Sequence, residues 1–157
     1  MRRMTLASPV GRQRLSLLLI AVSALLAGAG AFVRATESPG SSTHSSGYFF
    51  DVAGWLIACA AAIVEARVSD IFFQFSERKQ KRRALSLTLV GILCALIGCY
   101  FASLLVGRDS PTVLAALANA AMVGGVGAGL AGIFSLGWFY GGNYAAKRVE
   151  KLSEEEW

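Results

Sequence analysis

Residues 51–75 read DVAGWLIACAAAIVEARVSDIFFQF. This stretch looks like a membrane span, yet only the 13 residues from Val52 to Val64 are free of charge. A spanning helix needs about 20 apolar residues to cross roughly 30 Å of hydrocarbon. Glu65, Arg67 and Asp70 therefore stand where such a helix should still be running. Working back to Gly47 lengthens the run at its other end, where Tyr48, Phe49, Phe50 and Trp55 surround Asp51 as an interfacial aromatic belt would. Working forward, Val64, Val68, Ile71, Phe72 and Phe75 recur on one helical face while Ser69, Asp70, Gln74 and Ser76 take the other. The helix is thus expected to continue past the membrane surface as an amphipathic juxtamembrane segment. Arg67 and Asp70, three apart, can pair there, and Arg67 can snorkel outward.

The rest of the chain repeats the pattern. Leu15 to Val33 holds 19 uncharged residues, Ala84 to Gly107 holds 24, and Ser110 to Ala146 holds 37. Of the 157 residues 55% are hydrophobic and 16% charged, with the charges clustered between the runs. A soluble helical protein would instead need charges on every exposed helix face. The expectation is one all-α domain, an integral membrane four-helix bundle with spans at about 15–33, 48–66, 84–107 and 113–140. A basic amphipathic inside loop covers 67–83 and a polar helical tail covers 144–157, where Lys151 and Glu155 are spaced to pair.

Orientation follows from the basic residues. Thirteen of the fifteen lie before span one, between spans two and three, or after span four; only Arg34 and Arg108 fall in the other two links. Both termini are therefore expected on one side, cytoplasmic or, in a mitochondrion, matrix. The net charge of +5 is accounted for by this bias and calls for no nucleic acid. Arg78, Lys79, Lys81, Arg82 and Arg83, in ERKQKRR, are expected to meet anionic lipid headgroups. The first 36 residues carry basic but no acidic side chains, as a signal peptide or mitochondrial presequence would. Their apolar run is longer than a signal core, which favours a retained first span.

Glu65 is the deepest charge on the basic side. Intramembrane acids are often ion or proton sites. The alternative is an interfacial carboxylate paired with Arg67 or with a basic residue of a neighbouring span, and that reading is preferred because no second buried acid accompanies it. His44, the one histidine, sits in the polar stretch SPGSSTHSSG. Asn119, within span four, is expected to hydrogen-bond across helices. Span four is rich in small residues four apart: Gly125 and Gly129, Gly127 and Ala131, Ala128 and Gly132, Gly137 and Gly141. Such spacing lets backbones approach closely in lipid. Ala24 and Gly28 on span one, with Ser23, Ala27 and Ala31, offer a matching face, as do Gly91, Ala95, Gly98 and Ala102 on span three. These glycines cover more than one face of span four, so a partner subunit is expected beside the intramolecular neighbours.

Cys59, Cys94 and Cys99 all fall inside spans without metal-like spacing and read as small apolar fillers. GGVGAG has no preceding strand and reads as packing, not as a dinucleotide fingerprint. With one histidine and no paired acids, general acid–base chemistry has little to work with. No catalytic residue, metal ligand or cofactor site is expected.

RRALSLTLVGILCALIGCYFAS at 82–103 and SPTVLAALANAAM at 110–122 resemble the third span and the entry to the fourth in a family of small four-span endomembrane proteins. This is the transmembrane-protein-fifty group, which includes a vacuolar protein-sorting component. Asp51 opening span two also fits some members. The chain departs from the pattern at GAFVRATES, where the family has an aromatic and acidic end, and in a shorter link between spans three and four. The resemblance implies a non-catalytic partner in late endosomal sorting. Three functional expectations stand together: such an accessory or scaffold subunit in an endosomal or vacuolar membrane, a supernumerary subunit of a mitochondrial inner-membrane respiratory or ATP synthase complex, or a small oligomeric transporter or channel with Glu65 and Asn119 lining its path.

Overall fold

A computed structural model describes residues 9–37, 42–72, 77–105 and 112–155, with the backbone alone described at several helix ends. Four helices account for nearly all of it: α1 Pro9–Thr36, α2 Ser42–Phe72, α3 Glu77–Leu105 and α4 Thr112–Glu155. Each carries a stretch long and apolar enough to cross a membrane: Gln13–Thr36, Ser45–Ala66, Lys81–Leu105 and Thr112–Gly137. Pro9 opens α1 at a position where its missing N–H breaks no helical bond. Pro111 immediately precedes α4, and the helix interiors are free of proline.

The helix of span two does not stop at its charges. It runs on through Glu65 to Phe72, and α3 begins at Glu77, so most of the stretch read as a loop at 67–83 is the end of one helix and the start of the next. The side chains of Arg67 and Asp70 lie outside the described residues, as does that of His44. The polar tail is likewise helical to Glu155, with the Lys151 and Glu155 side chains outside the described residues.

Consecutive helices alternate in direction, but the arrangement is not a square. α4 packs on all three other helices, α1 and α2 pack on each other, α2 and α3 barely meet, and α1 and α3 flank α4 without packing together. The centre lies where α1, α2 and α4 converge, at Ala27, Ala58 and Val123, with Met122 against them. Only 17% of the α3 span is buried, compared with 33% for α1 and for α4, which makes α3 the outlying helix.

Small residues set these distances, and they recur every seven positions. Along the α3–α4 seam, Ala84, Gly91 and Gly98 face Gly132, Gly125 and Ala118 in antiparallel order. A Cβ added at Gly98 would lie 2.5 Å from the Met122 nitrogen and 2.7 Å from the Ala118 carbonyl oxygen. One added at Gly91 would strike the backbone of Gly129, and one at Gly132 would strike Thr88. Along the α1–α2 seam, Gly30 meets Gly47 and Gly54 meets Ser23; Ser16 and Ala61, both fully buried, continue the same register. A seven-residue period keeps a seam facing its partner as two helices wrap around each other. In a bilayer, where apolar burial against lipid gives little gain, this close approach supplies the packing contacts that hold helices together.

The small residues singled out in span four thus divide among three neighbours in the same chain. Gly125 faces Gly91 and Ala95 on α3, Gly124 faces Ala24 on α1, and Gly127 faces Ala58 on α2. Gly28 of α1 sits against Ala116 and Ala120. Gly129 is looser: an added Cβ would meet nothing nearer than 3.8 Å. Gly137 and Gly141 would meet nothing within 4 Å. Cys59 and Cys99 are exposed on the helix surface and only Cys94 is partly covered, so two of the three thiols do not fill the packed interior.

Candidate functional site

Two polar clusters join the helices, one at each end of the bundle. The first is centred on Glu65 of α2, whose side chain is 1% exposed. Arg83 of α3 grips it with two nitrogens, Nε at 2.9 Å from Oε1 and Nη2 at 3.2 Å from Oε2. The Ser16 hydroxyl of α1 donates to Oε2, and Arg83 Nη2 also donates to the Gln13 carbonyl at 3.4 Å. Ser16 is a seam residue, and its small side chain leaves room for the carboxylate while supplying a proton donor. Arg83 directly precedes the seam residue Ala84, and its long stem carries the guanidinium across the gap that α3 leaves. A planar guanidinium held bidentately is well suited to a desolvated carboxylate. The cluster ties α3 to α1 and α2, which it otherwise hardly touches.

The second cluster is centred on Asp51 of α2. Asn119 of α4 donates through Nδ2 to Asp51 Oδ1 at 2.7 Å and to the Ala27 carbonyl of α1 at 2.8 Å. The other carboxylate oxygen, Oδ2, pairs with Arg34 Nη1 of α1 at 2.5 Å. Arg34 also donates to the Gly47 carbonyl at 3.2 Å, with its guanidinium 4.9 Å from the centre of the Tyr48 ring. The closeness of Gly30 to Gly47 makes this possible, because it brings the start of α2 within reach of Arg34 one turn further along α1.

The acid expected to find a basic partner on a neighbouring span does so, with Arg83, and the amide expected to bond across helices reaches two of them. Asp51, Asn119 and Arg34 come together at one end, Glu65 and Arg83 at the other. Arg83 is thereby separated from Lys79, Lys81 and Arg82, whose side chains are exposed; Lys81 Nζ lies 5.3 Å from the centre of the Tyr140 ring. The Arg78 side chain lies outside the described residues. Sequence reasoning missed Ser16, Gln13 and Arg34 as cluster members. Ser16 was detectable as the first of three small residues seven apart, Ser16, Ser23 and Gly30. Among the described residues no three His, Cys, Asp or Glu side chains are grouped to hold a metal. Chemically, the arrangement fixes helices in place through charge-assisted hydrogen bonds.

The class defined by fold and site is, among the described residues, an all-helical protein with four helices long and apolar enough to cross a membrane, joined by internal ion pairs. No family model matches the chain, no curated protein matches it, and no solved structure matches it.

Proposed function

We propose that the protein is a non-enzymatic accessory or scaffold subunit of a larger membrane protein assembly, its basic ends on the cytoplasmic or matrix side. One observation carries this reading: the two residues on which a transport path would depend are both engaged in holding helices together. Glu65 is enclosed by Ser16 and Arg83, and Asn119 bridges Asp51 and the Ala27 carbonyl. Membrane acids that carry ions or protons must exchange partners as they work. These two clusters instead each link three helices. The open faces at Gly137 and Gly141 support a partner helix at the basic end of α4.

The resemblance of 82–103 and 110–122 to small endomembrane proteins favours an endosomal or vacuolar membrane. The acid-free first 36 residues favour the mitochondrial inner membrane as the alternative site. The test is extraction of tagged protein in mild detergent, a native gel, and mass spectrometry of the co-migrating proteins. A species well above 16.6 kDa containing other membrane proteins is expected, and those proteins name the compartment. A monomer or a homo-oligomer alone overturns the proposal. Loss of ion flux from reconstituted vesicles on Glu65→Gln would favour the transporter reading instead.

A further inference from the structure

A groove of about 270 Å³ runs over α4 between α1 and α3, where those two helices fail to meet. Its walls are Ile20 of α1 and Val90 and Cys94 of α3; Ala121, Gly124 and Ala128 of α4 form its floor. Its lining is almost wholly apolar and it is open along one side. At membrane depth such a groove is filled by hydrocarbon or by another helix. Its depth in the membrane and the charge at its basic end favour hydrocarbon.

The groove also lines up with one membrane surface. Ile20 lies seven residues above Gln13, and Val90 and Cys94 lie seven and eleven above Arg83. At 1.5 Å per residue the walls stand about 10 to 16 Å above the level of Gln13 and Arg83. Half of a hydrocarbon core about 30 Å thick is about 15 Å, so a chain rooted at that level ends in the groove. At the root the surface is basic: Lys79 is one turn before Arg83 on the same helical stripe, and it and Arg82 are exposed. Arg83 itself is held by Glu65, leaving Lys79 and Arg82 to meet a headgroup.

We infer that the groove between α1 and α3 binds one acyl chain of an anionic phospholipid from the basic-side leaflet, with its phosphate at Lys79 and Arg82. This stands apart from the accessory-subunit reading, since a subunit and a transporter can equally hold a structural lipid. A partner helix laid over the groove is the competing occupant.

The probe is phosphatidylglycerol against phosphatidylcholine, titrated onto the delipidated full-length chain in micelles and read by native mass spectrometry. The wild type is expected to retain one phosphatidylglycerol in preference to phosphatidylcholine. Lys79→Gln and Arg82→Gln should each lower that preference about fivefold, the equivalent of about 1 kcal/mol for a basic residue beside anionic lipid. Both leave the Glu65–Arg83 pair intact. Cys94→Phe fills the groove from its wall and Ala128→Leu from its floor, and either should abolish retention of the chain. Leu93→Phe places a phenyl ring on the outward face and should not. Two groove-filling variants guard against one failing to fold. Equal retention by the folded groove-filling variants and Leu93→Phe overturns the inference. So does equal retention of both lipids by the wild type, or a co-purified membrane protein whose cross-links map to Cys94.

Discussion

Gly125→Ala and Gly129→Ala add the same methyl group four residues apart on one helix, and the structure gives them opposite outcomes. At Gly125 the new Cβ lies 2.5 Å from the Ala95 nitrogen, 2.8 Å from the Gly91 oxygen and 3.0 Å from the Ala95 Cα. These obstructing atoms are all backbone, so no side chain can swing aside. Restoring an ordinary 3.4 Å contact moves α3 outward by about 0.9 Å. A gap of 0.5–1 Å forfeits roughly a quarter to a half of the dispersion well for atoms along the seam. Overpacking of this kind costs about 1–3 kcal/mol, and replacing a helical glycine by alanine returns up to about 1 kcal/mol. That gain is common to both variants, so Gly125→Ala is expected to be less stable than Gly129→Ala by about 1–3 kcal/mol. Gly129→Ala meets its nearest neighbour at 3.8 Å, an ordinary contact, and should be neutral or slightly stabilising. The assay is reversible unfolding in mixed micelles with increasing dodecyl sulfate, followed by helical signal. If the two variants unfold within about 0.5 kcal/mol of each other, below the smallest loss expected for a packed site, the seven-residue seam is refuted.

Glu65→Gln leaves the partly exposed Arg83 against a neutral partner and should destabilise by about 1–3 kcal/mol, whereas Glu65→Leu with Arg83→Met should recover most of that loss in the same unfolding assay. Asn119→Ala removes two interhelical hydrogen bonds and should cost about 0.6–1.7 kcal/mol, checked by a shift in the unfolding midpoint. Gly125→Leu and Gly129→Leu cannot report cleanly on a partner subunit, because Gly125 supports the protein's own fold. A Cβ at Gly137 or Gly141 meets nothing within 4 Å among the described residues, so Gly137→Leu with Gly141→Leu should leave monomer stability unchanged while weakening co-purification of partner proteins.

The four spans are legible as charge-free runs, because the bilayer imposes a length and a polarity that a sequence cannot disguise. The continuation of α2 past Glu65 is legible from the face shared by Val64, Val68 and Phe72, and the helix does run to Phe72. The kind of partner Glu65 requires is legible too, but not its identity. Arg83 sits in a basic cluster where all five cations look equivalent, and only the offset of α3 from α1 and α2 turns one of them inward. Asp51 and Arg34 lie on different helices, and the intimacy of Gly30 with Gly47 that brings them together has no signature stronger than two glycines. The small-residue pattern misleads in an instructive way. In a helix as rich in glycine and alanine as α4, pairs four apart occur on every face, so the spacing does not say which pairs touch. The seven-residue repeat does, since it must appear on both partners in matching antiparallel order, as Ala84, Gly91 and Gly98 do against Gly132, Gly125 and Ala118.

The placement of α4 between α2 and α3 underlies the Asp51–Asn119 cluster and the floor of the groove, and paired cysteines test it most directly. In a chain with Cys59, Cys94 and Cys99 replaced by serine, Ala58→Cys with Gly127→Cys puts two Cβ atoms about 3.1 Å apart, close to the roughly 3.5–4.5 Å of a disulfide. Oxidation in native membranes should cross-link this α2–α4 pair efficiently and leave Ala58→Cys with a retained Cys94, on α2 and α3, open. A cross-link between α2 and α3 with none between α2 and α4 would contradict the architecture on which the account rests.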